Sequence, residues 1–108
     1  MILPVYESNS VRVPPNSTTN IFQYDAVDST AMLESFSFFC SDERAYEVWV
    51  NILVGNAKLK PFNLLKGIRS DSKANLFIRN QDNLKIVLEN KSQVELNVDM
   101  QLTLRRYD

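Results

Sequence analysis

The C-terminal part of the chain alternates apolar and polar residues without a break: Val94-Glu95-Leu96-Asn97-Val98-Asp99-Met100-Gln101-Leu102-Thr103-Leu104. Successive side chains of a β-strand point to opposite faces, so this pattern predicts a strand whose apolar side chains all share one face. Burial of a large apolar side chain contributes about 1.5 to 3 kcal/mol gross, which predicts that this face lies in a core. A slip of one residue would turn every apolar group to water, and the stretch therefore determines its own orientation.

Upstream of this strand, shorter stretches are predicted to be strands because they combine alternation or high β propensity with polar turns on either side. They cover residues 21–24, 32–40, 46–54, 57–62, 74–79 and 84–88. Gly55-Asn56 predicts a two-residue primed turn, because glycine adopts positive φ without a steric penalty. Pro61 lacks a backbone donor, which predicts that its strand lies at an edge or contains a bulge.

The spacing of these strands predicts the fold class. About seven or eight short strands, without a sustained helical period, are typical of a sandwich or a small barrel. We expect an all-β, antiparallel β-sandwich of jelly-roll-like type. The last strand is about twice the usual 5 to 6 residues, which predicts a bend, a bulge or pairing beyond its own sheet.

Residues 1–15 differ from the rest of the chain in holding Pro4 and the pair Pro14-Pro15. Adjacent prolines impose an extended backbone that cannot donate to a β-ladder. We therefore expect residues 1–15 to form an extended N-terminal arm and residues 16–108 to form the sandwich domain. Such an arm can add to the exposed sheet edge of a neighbouring protein. Its candidate contact residues are Val11, Val13, Pro14 and Pro15.

A second candidate surface comes from the outer parity of two predicted strands. In the strand at 32–40, we expect Phe36, Phe38 and Cys40 to face the core, with Cys40 a buried free thiol. If the strands at 32–40 and 46–54 form a hairpin, the side chains of the opposite parity meet in one exposed apolar patch. Its members are Leu33, Phe39, Trp49 and Leu53. Such patches usually mark interaction surfaces, and the alternative is that a second layer of the same chain covers this one.

Composition and charge argue against several classes of partner. The chain has 108 residues, 44% of them hydrophobic, and a formal net charge of -1. This size is typical of one globular domain, and the balanced charge is not expected to attract nucleic acid. No apolar run approaches the ~20 residues of a membrane-spanning helix, so we expect no membrane contact. The N-terminal residues lack a basic region followed by an apolar one, from which we expect no export signal.

The residue types that carry most catalysis are scarce. The chain contains no histidine, one cysteine and two glycines. It therefore lacks the usual general base and the commonest metal ligand, and it has too little glycine for a phosphate-binding loop. We expect no enzymatic activity, no cofactor and no metal. Glu34 is the remaining candidate for carboxylate-based catalysis, and the alternative is that it lies at a strand start outside the core.

Two alternatives involve other ligands. Loop carboxylates could bind calcium, although none has EF-hand spacing and turn formation is the alternative role. These residues are Asp25, Asp28, Asp42, Glu43, Asp71 and Asp82. Carbohydrate recognition is the second alternative, because β-sandwiches bind sugars by stacking them on exposed aromatic rings. Trp49 and Tyr46 are the candidates for such a glycan site.

The order of motifs resembles small β-sandwich modules that are common among the virion proteins of tailed phages. The resemblance rests on residues 13–22 (VPPNSTTNIF), 33–36 (LESF), 47–50 (EVWV) and 83–90 (NLKIVLEN). It implies a non-enzymatic protein, used in multiple copies, that decorates a capsid or belongs to the head-to-tail or tail region. The implied partners are other virion proteins and copies of itself. The implied location is the virion, after assembly in the host cytoplasm, with which the single cysteine agrees.

Overall fold

The computed structural model describes residues 2–107, with side chains described from residue 5 onward. Met1 and Asp108, the outer limits of the predicted arm and domain, lie outside the described residues. Within this part the chain forms two antiparallel sheets, which confirms the predicted β-sandwich. The strands are β1 (Ile2–Val13), β2 (Ser17–Asp25), β3 (Thr30–Phe39), β4 (Val48–Val54), β5 (Ala57–Lys58), β6 (Phe62–Asn63), β7 (Ser70–Ile78), β8 (Asn83–Asn90) and β9 (Leu96–Tyr107). A short 3-10 turn, Ala45–Glu47, precedes β4.

The strand order defines a jelly roll. Sheet A has the order β1-β9-β3-β7, and sheet B has the order β2-β8-β4-β5, with β6 also paired to β4. The chain changes sheet at every connection except those between β4, β5 and β6. Since β5 and β6 both pair with β4, they occupy a single strand position, and each sheet has four positions. Two four-stranded sheets with these crossings form a jelly roll, the type of sandwich expected from the sequence.

β9 supplies the centre of the core, as its alternation predicts. Its inward side chains Leu96, Val98, Met100, Leu102 and Leu104 are each at most 2% exposed. The same core cluster contains Val48, Val50 and Ile52 of β4 and Leu84, Ile86 and Leu88 of β8. Val94 departs from the prediction. It lies in the connection from β8, before β9 begins at Leu96, and it is 38% exposed.

The predicted N-terminal arm is instead an edge strand of sheet A. Every residue of β1 pairs antiparallel with β9, from Ile2 opposite Tyr107 to Val13 opposite Leu96, without a shift in register. Val13 is fully buried in the core. Residues 2–13 therefore belong to the sandwich, because β9 is long enough to pair with all of them.

A bulge in β3 reverses the predicted facing of Leu33. Leu33 lies opposite Leu104 and Ser35 lies opposite Thr103, so Glu34 is one residue more than β9 offers at this point. An extra residue shifts the alternation of the bulged strand by one. Leu33 consequently points into the core with Phe36 and is fully buried. Upstream of the bulge, the parity predicted for β3 is therefore wrong.

The connection between β3 and β4 is also different from the prediction. A hairpin through the polar residues 41–44 would make β3 and β4 neighbours, but β3 lies in sheet A and β4 in sheet B. The segment crosses from one layer to the other, and its Asp42 carboxylate accepts a hydrogen bond from the backbone N–H of Arg44 at 2.8 Å. Asp42 thus has the turn-forming role that was the alternative to calcium binding.

The local turn predictions at residues 55–61 are confirmed. Val54 pairs with Ala57, which leaves Gly55-Asn56 as a two-residue turn. Of these two turn residues, Gly55 has a positive φ (+57°) and Asn56 does not, which is the type II′ pattern. The return strand is then interrupted between β5 and β6, where Pro61 lies, and both pieces lie at the edge of sheet B.

Candidate functional site

The edges of the two sheets differ in regularity. β2 contains a bulge between Asn20 and Phe22, and β7 has left-handed Asn75 (φ +49°) beside a register shift against β3. β5 and β6 have two residues each. β1, by contrast, is 12 residues long and pairs with β9 without interruption. Short and bulged edges resist pairing with other chains, so β1 is the edge best suited to receive another strand.

The inward parity of β1 is mixed in chemistry. Val5, Val11 and Val13 pack against the core. Between them, Glu7 and Asn9 lie opposite Leu102 and Met100 of β9, yet both are exposed. A carboxylate and an amide on the inward side of an edge strand disfavour pairing with an arbitrary apolar strand. Any partner at this edge must therefore match Glu7 and Asn9 as well as the inward valines on either side of them.

The residues proposed as arm contacts occupy two different environments. Val11 is half-buried and Val13 is fully buried, so both contribute to this chain's own core. Pro14 and Pro15 are exposed in the turn that joins β1 to β2. The Pro14 carbonyl accepts hydrogen bonds from Ser17 Oγ at 2.6 Å and from Asn90 Nδ2 at 3.2 Å. The turn is thereby held against the body of the sandwich.

The predicted apolar patch is not a single surface. Leu33 lies in the core, as described above. Phe39 is half-buried on the outer side of sheet A, where the Arg69 guanidinium carbon is 5.5 Å from its ring centroid. Trp49 and Leu53 share the outer side of β4 in sheet B. The two sheets separate Phe39 from Trp49, because the chain crosses layers between β3 and β4.

The structure presents an exposed aliphatic pair that the alternation did not identify. Leu65 and Ile68 are 52% and 56% exposed, and they pair across a tight turn that contains Gly67. The Gly67 N–H donates to the Cys40 carbonyl at 3.0 Å, which ties this turn to the end of β3. The stretch has no period of two, so its outward side chains could not be assigned from the sequence.

A depression of about 380 Å³ surrounds Trp49 on the outer side of sheet B. It is lined by Trp49, Asn51, Lys58, Lys60, Pro61, Glu89 and Lys91. Lys91 Nζ lies 5.5 Å from the Trp49 ring centroid and 3.8 Å from Glu89 Oε1. Lys58 and Lys60 have no ion-pair partner among residues 5–107. The depression thus combines an aromatic ring with cationic groups brought together from separate segments, and the sequence pattern identified only the ring.

A second depression, of about 340 Å³, lies on the outer side of sheet A. Most of its lining residues carry a hydroxyl or an amide group: Ser35, Ser37, Ser72, Gln101 and Thr103. These residues come from β3, β7 and β9 and are neighbours only because those strands pair. Arg69 donates a hydrogen bond to Ser37 Oγ at 3.0 Å beside it.

Glu34, the candidate for carboxylate chemistry, is held in an ion pair. Its Oε2 accepts a hydrogen bond from Arg105 Nε at 2.8 Å. This hydrogen bond, together with the charge of Glu34, raises the pKa of Arg105. Glu34 is also the extra residue of the β3 bulge, so the ion pair positions the bulge against β9.

Cys40 is a free thiol and 1% exposed, as predicted, and its burial raises the pKa of the thiol. In the described part of the chain, no cluster of three or more His, Cys, Asp or Glu residues is placed to hold a metal ion. No helix within residues 2–107 has the length and apolarity to cross a bilayer.

Comparison with known proteins supports the fold. No protein-family model matches the chain, and no curated protein matches it in sequence. Among solved structures, the chain is similar to one chain in the structure of infectious bursal disease virus, Gx strain. The TM-score is 0.58 at 14% sequence identity, and the match covers 98% of this chain. It covers 31% of the viral chain, so this protein spans about a third of that chain's length.

Proposed function

We propose that this protein is a non-enzymatic structural component of a virus particle that binds neighbouring protein chains. The observation that carries the proposal is the jelly-roll arrangement, which a chain of a virus structure shares over 98% of this chain. Jelly rolls occur in viral capsids and also in lectins and cupins. The choice among these roles therefore depends on the surfaces of the molecule.

The uninterrupted edge of β1 favours a role in assembly. Pairing along an exposed strand gains backbone hydrogen bonds and places little demand on sequence. β1 offers such an edge over residues 5–13, the nine residues that follow Pro4, whereas bulges or short length interrupt the other sheet edges. We infer that other virion proteins and copies of this chain are the partners, and that assembly takes place in the cytoplasm of the host.

The resemblance of its motifs to phage modules supports a finer assignment. We propose that the particle is a tailed phage, with this chain decorating the capsid or belonging to the head-to-tail or tail region. The motifs that carry this assignment are those of β2, β3, β4 and β8, quoted above. It is independent of the similarity to the virus structure.

Purified particles test this proposal. Particles from the source of the sequence would be banded on a density gradient and probed with an antibody raised against the chain. We expect the chain in the particle band, and immunogold microscopy should then place it on the head, neck or tail. Detection of the chain only in particle-free fractions would contradict the proposal, and a labelled particle without a tail would reject its phage-specific part.

Glycan recognition is the second candidate function, and the depression at Trp49 favours it. A half-buried indole beside Lys58, Lys60 and Lys91 offers a stacking surface together with charges that attract a carboxylated sugar. The volume of the depression, about 380 Å³, lies at the lower end of the roughly 300 to 1,000 Å³ that ligand sites occupy. Tyr46, the other aromatic candidate, is 56% exposed and lies in the 3-10 turn before β4.

Because Trp49 is the only tryptophan, its fluorescence reports directly on this depression. If the site binds sugars, a glycan array should return ligands that change the Trp49 emission saturably. Trp49→Ala should then lose array binding. Phe77→Ala, which removes a 52% exposed ring from sheet A, should retain it. Emission that no array ligand changes, with equal array signals for both variants, would reject the glycan function.

A further inference from the structure

We propose that two copies of this chain associate by antiparallel pairing of their β1 strands around a two-fold axis at Ser8. The inference rests on the proposed function and deepens it, because it names the partner and the register at one sheet edge. Joining the two edges would make sheet A continuous between the copies, with the β1 strand of each covering the free edge of the other.

The sequence of β1 is complementary to itself in this register. A two-fold axis at Ser8 places Val5 opposite the partner's Val11 and Glu7 opposite the partner's Asn9. Each apolar side chain then faces an apolar one, and each carboxylate faces an amide that can donate to it. On the outer side, Tyr6 lies opposite the partner's Ser10. These pairs occur twice in the dimer because the axis relates the two copies.

Neighbouring registers are less favourable. With the axis at Glu7, the two Glu7 carboxylates would lie directly opposite each other, and like charges in that position are destabilising. With the axis at Asn9, each Glu7 would lie opposite a valine, which leaves the carboxylate without a donor. Only the Ser8 register matches Val5, Glu7, Asn9 and Val11 at once.

This register also accounts for the polar residues on the inward parity of β1. Glu7 and Asn9 are exposed in the single chain, although their register places them on the side that faces the core. An inward-pointing charge on an edge strand prevents pairing with arbitrary strands. In the proposed pair the same residues contact each other, so they select a second copy of this chain over other edges.

Cysteine crosslinking tests the register. In the Ser8→Cys variant the two thiols lie opposite each other, at a Cα separation within the roughly 4.4 to 6.8 Å that a disulfide requires. In the matched control, Ser10→Cys, the thiols are offset by four residues, about 13 Å along the strand. Ser8 and Ser10 are both exposed on the same side of β1, and the native Cys40 is buried. Neither substitution is therefore expected to disturb the fold.

Under mild oxidation of the purified chain, we expect Ser8→Cys to form a covalent dimer at least tenfold faster than Ser10→Cys. Equal rates, faster crosslinking of Ser10→Cys, or no crosslinking of either variant would overturn the proposed pairing.

Charge substitutions provide a second test, in which two single variants should change the dissociation constant in opposite directions. Asn9→Lys creates two Glu–Lys pairs across the axis, whereas Asn9→Glu creates two Glu–Glu pairs. From typical cross-strand pair energies, the dissociation constant should fall roughly fivefold in the first variant and rise roughly fivefold in the second. Sedimentation equilibrium measures both, and the double variant Glu7→Lys, Asn9→Glu should restore association. Equal or unidirectional effects of the two single variants would overturn the register.

The two proposals can fail separately. If Ser8→Cys does not crosslink while the chain is found in purified particles, the β1 pairing is rejected and the particle assignment stands. If Ser8→Cys crosslinks while the chain is absent from particles, the pairing stands and the particle assignment is rejected.

Discussion

Asn90 is a single buried side chain that joins three segments of the molecule. It is fully buried, and its Nδ2 donates to the carbonyls of Val13 at 3.1 Å, Pro14 at 3.2 Å and Val94 at 2.9 Å. Its Oδ1 accepts from the backbone N–H and the hydroxyl of Ser92, at 2.9 and 2.7 Å. The amide therefore satisfies buried backbone groups of two segments at once, the turn after β1 and the connection from β8 to β9. Water cannot replace it at this buried position.

Substitution of Asn90 by aspartate should be strongly destabilising. The change is nearly isosteric, but it points a carboxylate oxygen at three carbonyl oxygens and buries its charge. We expect a loss of about 3 to 5 kcal/mol in the free energy of unfolding at pH 7, measured by urea denaturation. Asn97→Asp, the same change on the exposed side of β9, should stay within about 0.5 kcal/mol. Similar losses for the two variants would show that the Asn90 amide does not hold these segments.

Cys40 predicts a dependence of stability on pH. Burial raises the pKa of its thiol in the folded chain, so the folded state holds its proton at pH values where the unfolded state releases it. Stability contributed by the neutral thiol is thus complete below the unfolded pKa of about 8.5 and falls as the pH rises toward the folded pKa. The difference between the urea midpoints of the wild type and of Cys40→Ala should therefore shrink as the pH is raised from neutral to above about 9. A difference that does not change with pH would contradict this linkage.

At the scale of an element, the bulge of β3 decides which leucine is structural. The alternation of apolar and polar residues predicts that Leu33 and Leu53 both lie in one exposed apolar patch. In the structure Leu33 is fully buried, whereas Leu53 is half-buried on the outer side of β4. The difference arises from one extra residue, Glu34, whose side chain is held by Arg105.

Alanine at the two leucines should therefore have unequal effects. Leu33→Ala removes a side chain from the closed core and should lower the free energy of unfolding by about 2 to 5 kcal/mol. Leu53→Ala leaves no enclosed cavity and should lower it by less than about 1 kcal/mol. Guanidinium denaturation would give both changes in the free energy of unfolding from the shifts in midpoint, provided that the slopes of the transitions are unchanged. If Leu53→Ala proved the more damaging variant, the facing derived from the bulge would be incorrect.

At the scale of the whole molecule, β1 and β9 determine the shape. The described chain measures 43 × 22 × 20 Å. Strands of 12 residues span about 40 Å at 3.3 Å per residue, so these two strands run along the full long axis. They lie at opposite ends of the chain sequence, and their pairing closes the fold between distant segments.

Deletion of residues 1–13 should for this reason disrupt the fold as a whole. The deletion removes Val13 from the core and leaves one side of β9 without its ladder partner. We expect loss of the cooperative thermal transition in circular dichroism, and recovery of that transition when a peptide of residues 1–13 is added in trans. A truncated chain that melts at the same temperature as the intact one would instead support a detached arm.

Local features of this protein followed from residue order alone. The alternation of β9 predicts which of its faces is buried, since a strand exposes every second side chain regardless of its neighbours. The Gly55-Asn56 turn follows from the backbone freedom of glycine, and the edge position of the strand around Pro61 follows from the donor that proline lacks. Each of these depends on a few adjacent residues, and each agrees with the structure.

Features that join distant segments required the folded molecule. The place of residues 2–13 in sheet A depends on β9, and the burial of Leu33 depends on a bulge defined against that same strand. The separation of Phe39 from Trp49 depends on the crossing between the two layers, and the lysines around Trp49 meet only through strand pairing. Alternation predicts the two faces of a single strand, but the partner strands decide which side chains share a surface. In a jelly roll most partner strands are distant in sequence.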